Sequence, residues 1–221
     1  MNALLSKLTE RVATPRRYTK DDGWWLVAMK EQYAEMKSAG GRDFAGAKPA
    51  KGPQRGTIEY SDLCIRGGGA QEELAEELGF PLPDDYRFFC SIFREYLIAG
   101  RSIIRLWDAE DIRDDIEGWD VPRNEPVTLF YFARLPQETA RFALRRKPDG
   151  EVDVVFSWDY GDLGEPVISS DQEDKFRCDV SFSTWLERMI GTDGFPLFPG
   201  GSVPTSEGWG ERDHLKPPTA T

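Results

Sequence analysis

Residues 139–158 read TARFALRRKPDGEVDVVFSW, and this stretch restricts the fold more than any other. Ala140, Phe142 and Leu144, then Val152, Val154, Phe156 and Trp158, alternate with mostly polar neighbours, the period of strands with one covered face. The KPDG between them predicts a hairpin turn, with Gly150 able to take positive φ. VTLFYFA at 127–133 adds a third strand and SIIRLW, after Gly100, a fourth. An antiparallel meander is expected.

Helices are predicted on either side of these strands. GGAQEELAEELGF spaces Leu74 and Leu78 four apart among glutamates, with Gly79 as the stop. After the corner FPLP, Pro83 suits a first helical position and Asp84 and Asp85 complement the positive end of the helix dipole, so these acids read as structural rather than as a catalytic pair. Tyr86, Phe89, Cys90, Phe93 and Leu97 follow at helical spacing and predict one long apolar stripe. DAEDIRDDIEGW begins on Asp108 as N-cap and pairs Ile112 with Ile116. SFSTWLERMI has Ser181 as N-cap and puts Phe182, Trp185, Leu186, Met189 and Ile190 on one face. Near the N-terminus, 22–38 place Trp25, Met29, Tyr33 and Met36 on one helical face.

A chain of 221 residues supports one sizeable domain with extensions. The expected division is a basic N-terminal extension over 1–56, ending in the Gly/Pro/Lys-rich linker or loop GGRDFAGAKPAKGPQRG, an α+β domain over 57–191, and an irregular Gly/Pro-rich tail over 192–221. Charge follows that division. Residues 57–191 hold 29 Asp+Glu against 15 Lys+Arg, whereas 1–56 hold 6 against 11. Such a field repels phosphate backbones and attracts basic surfaces, so the expected partner is a basic protein and not nucleic acid. With no 18-residue apolar run and no signal-peptide pattern, a cytoplasmic chain that does not engage membrane is expected.

The chemistry absent from the sequence narrows the function. The single histidine, His214, lies in the Pro-rich tail, which argues against a His-based general base, a catalytic triad, a Cys–His pair or a histidine-containing metal cluster in the core. Cys64, Cys90 and Cys178 are widely spaced, form no C-x-x-C and read as buried thiols. GGGA at 67–70 precedes a helix whose first-turn glutamates would repel an anion, so it reads as a loop. No catalytic residue, cofactor or metal is assigned.

The ordered words LGFPLPDDYRFF, LWDAEDI, VTLFYFA, TARFALRR, VDVVFSWDY and SFSTWLERMI, across residues 71–190, resemble the Smi1/Knr4 (SUKH) superfamily. That resemblance implies an α+β fold, a mostly antiparallel sheet flanked by helices, and no catalytic constellation. It also implies a role as a bacterial immunity protein, which binds a toxin of nuclease or deaminase type, or as a regulatory scaffold. The chain departs from the family pattern at Arg145, Arg146 and Lys147, where relatives often carry an Asp, and in the reduced glycine turn AGRS.

The residues expected to bind a partner are acids beside aromatics. Asp159, Tyr160 and Asp162 follow the strand that ends at Trp158, while Asp114 and Asp115 lie on the helix before Trp119. Trp158 or Trp119 would anchor the contact, and the acids would set its rate and partner choice. Two other readings compete. One is a regulatory scaffold for an endogenous partner. The other is a carboxylate-dependent hydrolase, drawing an acid pair from Asp159, Asp162 and Glu165 or using the DAEDIRDD acids as a metal cage.

Overall fold

The computed structural model describes residues 2–19, 23–48, 50–51, 57–100, 103–118, 127–134, 140–158 and 177–194. Along the chain run α1 (Asn2–Ala13), β1 (Arg16–Thr19), α2 (Gly23–Gly40), a 3-10 turn (Gly41–Asp43), β2 (Phe44–Ala45), β3 (Ala50–Lys51), β4 (Thr57–Tyr60) and β5 (Leu63–Arg66). Then come α3 (Ala70–Glu77), α4 (Asp84–Cys90), β6 (Phe93–Ala99), β7 (Ile103–Leu106) and α5 (Ala109–Gly118). Last are β8 (Leu129–Arg134), β9 (Ala140–Arg146), β10 (Val152–Trp158), β11 (Arg177–Asp179) and α6 (Phe182–Gly191).

The meander is larger than the sequence suggests. Eight strands pair in the order β11-β10-β9-β8-β7-β6-β5-β2, every pair antiparallel, and β1-β4-β3 form a second small sheet. The protein is an α+β fold. The β9–β10 hairpin forms where expected, Val152 opposite Arg146 and Trp158 opposite Ala140, with Gly150 at φ 89°.

Alternation along the central strands sends side chains to two layers. On one face Tyr96, Ile98, Ile104, Leu106, Phe132 and Phe142 join a core with α1, α3, α4 and α6. On the other, Leu63, Ile65, Leu97, Ala99 and Ile103 meet Met29 and Met36 of α2. Each of these methionines is fully buried, which stabilises the layer by roughly 1.5–3 kcal/mol apiece. The sheet is therefore covered on both faces in its middle. This corrects the one-covered-face reading of β9 and β10, since Ala143 and Val155 are as buried as Leu144 and Val154. Arg145 and Asp153, on that second face, satisfy each other across the hairpin with hydrogen bonds of 3.0 and 2.7 Å.

The apolar stripe expected to continue as helix through Phe93 and Leu97 does not. α4 stops at Cys90, where the Ser91 and Ile92 amides donate to the Arg87 and Phe89 carbonyls, and Phe93–Ala99 is strand β6. A strand buried on both faces loses its polar–apolar alternation, so its residues imitate any period. Pro83 is the N-cap, one position earlier than expected. Asp85 does more than complement a dipole, because one oxygen accepts from the Tyr86 amide and the other from the Ser183 amide at 2.7 Å, which ties α4 to the start of α6.

The stretch read as linker also carries structure. Phe44–Ala45 pair with Ile65 and Cys64 and form the edge of the main sheet, and Ala50–Lys51 pair with β4. Of the expected helical face on α2, Met29 and Met36 are buried and Tyr33 is half-buried against Phe44. The GGGA loop packs closely: a Cβ on Gly68 would lie 1.8 Å from the Cys90 carbonyl oxygen. The N-terminal segment is part of the same body, since Leu4 and Leu8 of α1 are buried in the main core. The tail beyond Gly194 lies outside the described residues.

Candidate functional site

Of the expected partner-binding residues, Asp159, Tyr160, Asp162 and Trp119 lie outside the described residues, as does Glu165 of the alternative acid pair. Trp158 ends β10, opposite Ala140. Asp114 is exposed on α5, and Asp115 follows it on the same helix. The structure thus places the helix that carries Asp114 and Asp115.

Around Asp114 the fold assembles a wider acidic surface that sequence order conceals. Arg113 of α5 grips Glu77 of α3 through two hydrogen bonds of 3.0 and 2.8 Å, and Arg87 of α4 reaches Glu72 of α3 at 3.0 Å. These contacts knit α3, α4 and α5 into one layer. The three helices carry eleven acids, Glu72, Glu73, Glu76, Glu77, Asp84, Asp85, Glu110, Asp111, Asp114, Asp115 and Glu117, against two arginines. Both arginines are engaged by acids of the layer, while Glu73, Glu76, Asp84, Glu110 and Asp114 are exposed. Asp108 caps α5 as predicted, accepting from the Glu110 and Asp111 amides at 3.1 and 3.0 Å.

One acid of the DAEDIRDD run turns inward. Asp111 accepts from Arg105 at 3.0 Å, and the same buried guanidinium binds Glu95 of β6 and, at 2.9 Å, Glu35 of α2. Three carboxylates therefore meet one cation at a point where α2, the sheet and α5 converge. Glu95 is 2% exposed, and burial pushes its pKa up to about 7, against the pull of Arg105 and with the help of Asp111 and Asp108. Burial raises Asp111 as well, again opposed by Arg105.

A folded-state pKa above the unfolded value of about 4.3 means that this proton stabilises the native state fully below that value and that its contribution fades as pH rises through about 7. Stability against urea is expected to fall by roughly 2 kcal/mol between pH 5 and pH 8, and Glu95→Gln to remove most of that slope. Equal slopes in the two proteins would mean that Glu95 does not carry the proton.

A second charged cluster explains the basic N-terminus. Asp62 is fully buried and takes hydrogen bonds from Arg11 at 2.7 Å, Arg16 at 2.5 Å, the Tyr96 hydroxyl at 2.9 Å and the Ala99 amide at 3.0 Å. Arg11 also reaches Asp193 at 3.1 Å, just past α6, and Arg17 bonds Glu59 at 2.7 Å. These arginines hold the N-terminal segment to the body. The thiols are buried, and burial pushes Cys64 to about 11 and Cys90 to about 12, far from the thiolate form needed for nucleophilic attack. Among the described residues no group of three or more His, Cys, Asp or Glu side chains is arranged to hold a metal ion, and no helix is long and apolar enough to cross a membrane. No family model, curated protein or solved structure matches the chain.

Proposed function

We propose that this protein works by binding rather than by catalysis, as an immunity protein that covers the basic active site of a cognate bacterial toxin of nuclease or deaminase type. The observation that supports this reading is the α3–α4–α5 layer, where Glu73, Glu76, Asp84, Glu110 and Asp114 are exposed and both arginines are already engaged by acids of the layer. Such a surface attracts a cationic pocket over several ångströms of solvent and raises the encounter rate by about 10- to 1,000-fold at low salt. Asp114 and Asp115 belong to that layer, and Trp158, Asp159, Tyr160, Asp162 and Trp119 are the aromatic and acidic groups proposed to extend it. The α+β architecture is of the kind the Smi1/Knr4 resemblance implies.

The test is co-expression with the product of the adjacent open reading frame, scored by co-purification and by survival of cells making that product. Reversing Glu73, Glu76, Glu110 and Asp114 to lysine together is expected to slow association by at least 100-fold and to abolish protection. A second variant reversing Asp159 and Asp162 separates the contribution of the segment after β10. Full protection by both variants would remove the acidic surface from the account. If deletion of the gene produces a phenotype with no toxin present, the scaffold reading replaces this one.

A further inference from the structure

The sheet carries an arginine whose side chain is unpaired among the described residues. Arg105, Arg134 and Arg141 stand opposite one another across β7, β8 and β9. Arg105 is saturated by three carboxylates, but the Arg134 side chain makes no hydrogen bond or ion pair among the described residues. Its contact is with Trp107, whose ring centroid lies 5.6 Å from the guanidinium carbon. The Nε of Arg134 is sealed from solvent without an acceptor, and so is the indole Nε1 of Trp107, a residue only 4% exposed. Burial and then the charge of Arg105 pull the Arg134 pKa below its ordinary value. A half-buried guanidinium beside another, with no carboxylate paired to it among the described residues, opposes folding.

We propose that Arg134, laid on the face of Trp107, is the docking point for a single carboxylate group supplied from outside the chain. The indole face attracts the cation, and the planar fork of a guanidinium can receive two oxygens, the geometry in which arginine exceeds lysine. Glu35 and Asp111 act on Arg134 from α2 and α5 and make the neighbourhood already negative. They disfavour a doubly charged phosphate there more than a singly charged carboxylate. The carboxylate belongs to a small organic acid or to an acidic side chain of a bound protein. The site stands independently of the acidic helical layer.

The experiment uses the full chain labelled with nitrogen-15 and follows the Trp107 indole and Arg134 Nε–H signals during titration at constant ionic strength. The probes are sodium acetate, acetamide, inorganic phosphate and an end-blocked Gly-Glu-Gly peptide. Acetate and the peptide are expected to move both signals saturably, whereas acetamide and phosphate leave them in place. Arg134→Lys, which keeps the charge but not the fork, is expected to weaken the acetate response at least tenfold. A peptide response tenfold tighter than that of acetate identifies a protein side chain as the source, and equal responses identify a free acid. Arg134→Met is expected to raise the melting temperature by a few degrees, because the fold loses a half-buried charge that no ion pair holds. Signals that do not saturate with either carboxylate, a phosphate response matching that of acetate, an undiminished response in Arg134→Lys, or a lowered melting temperature in Arg134→Met would each overturn the proposal.

Discussion

Replacing Asp62 with alanine is expected to destabilise the protein by about 3–5 kcal/mol, because removing one member of a buried ion cluster strands the others. Asp62 is fully buried, and its two oxygens accept from Arg11, Arg16, Tyr96 and the Ala99 amide. Its own amide donates to the Arg11 carbonyl at 3.1 Å, so backbone and side chain both fasten α1 to the sheet. Without the carboxylate, Arg11 retains Asp193 alone as an acid among the described residues, and Arg16 loses its 2.5 Å partner. Asp62→Asn keeps the shape and part of the hydrogen bonding and is expected to lose about half as much. Urea unfolding at pH 7 measures both losses, and amide exchange in Asn2–Ala13 shows whether α1 is released first. A loss below about 1 kcal/mol for the alanine variant would mean that water or rearranged partners replace the carboxylate.

The second large effect is expected at Trp185, whose truncation to alanine removes about 3–5 kcal/mol. The indole is fully buried where α6 meets the sheet, with the Phe132, Phe142 and Phe182 ring centroids at 4.8, 5.1 and 5.8 Å. Phe132 meets it edge-on, at an interplanar angle of 89°, a favourable quadrupole arrangement. These neighbours belong to two different strands and to α6 itself, so the cavity left behind cannot close by moving one element. Its Nε1 has no acceptor among the described residues, so Trp185→Phe gives up volume but no hydrogen bond and is expected to lose only about 1–2 kcal/mol. The pair of variants, compared by urea unfolding, separates volume from polarity. If both lose equally, the site tolerates a cavity and the packing argument fails.

Local signals made much of this fold legible. The hairpin turn at Gly150, the N-caps Asp108 and Ser181 and the stop at Gly79 each act within four residues, and each appears where its chemistry requires. Phe93–Ala99 was illegible for a physical reason: Tyr96, Leu97, Ile98 and Ala99 are all fully buried, and a strand covered twice has no polar phase to read. α1 had a signal in the four-residue spacing of Leu4 and Leu8, both buried in the main core, so periodicity would have found it.

The charged clusters had no such signal. Arg11 and Asp62 are 51 residues apart in sequence, and Arg105 draws acids from α2, β6 and α5. Only the fold reveals that Asp111 turns inward while Asp114, three residues on, faces solvent. In the same way, α3 is by sequence a short acidic helix on its own, and its union with α5 through Arg113 and Glu77 turns two separate charge runs into one surface.

That surface decides whether the functional account holds. The most direct measurement is the association rate of the purified chain with the product of the adjacent open reading frame, taken across a series of salt concentrations for the wild type and for the Glu73, Glu76, Glu110 and Asp114 lysine variant. The account predicts a wild-type rate that falls steeply as salt rises and a variant rate that is low throughout. Rates that coincide for the two proteins, or that ignore salt, would contradict it.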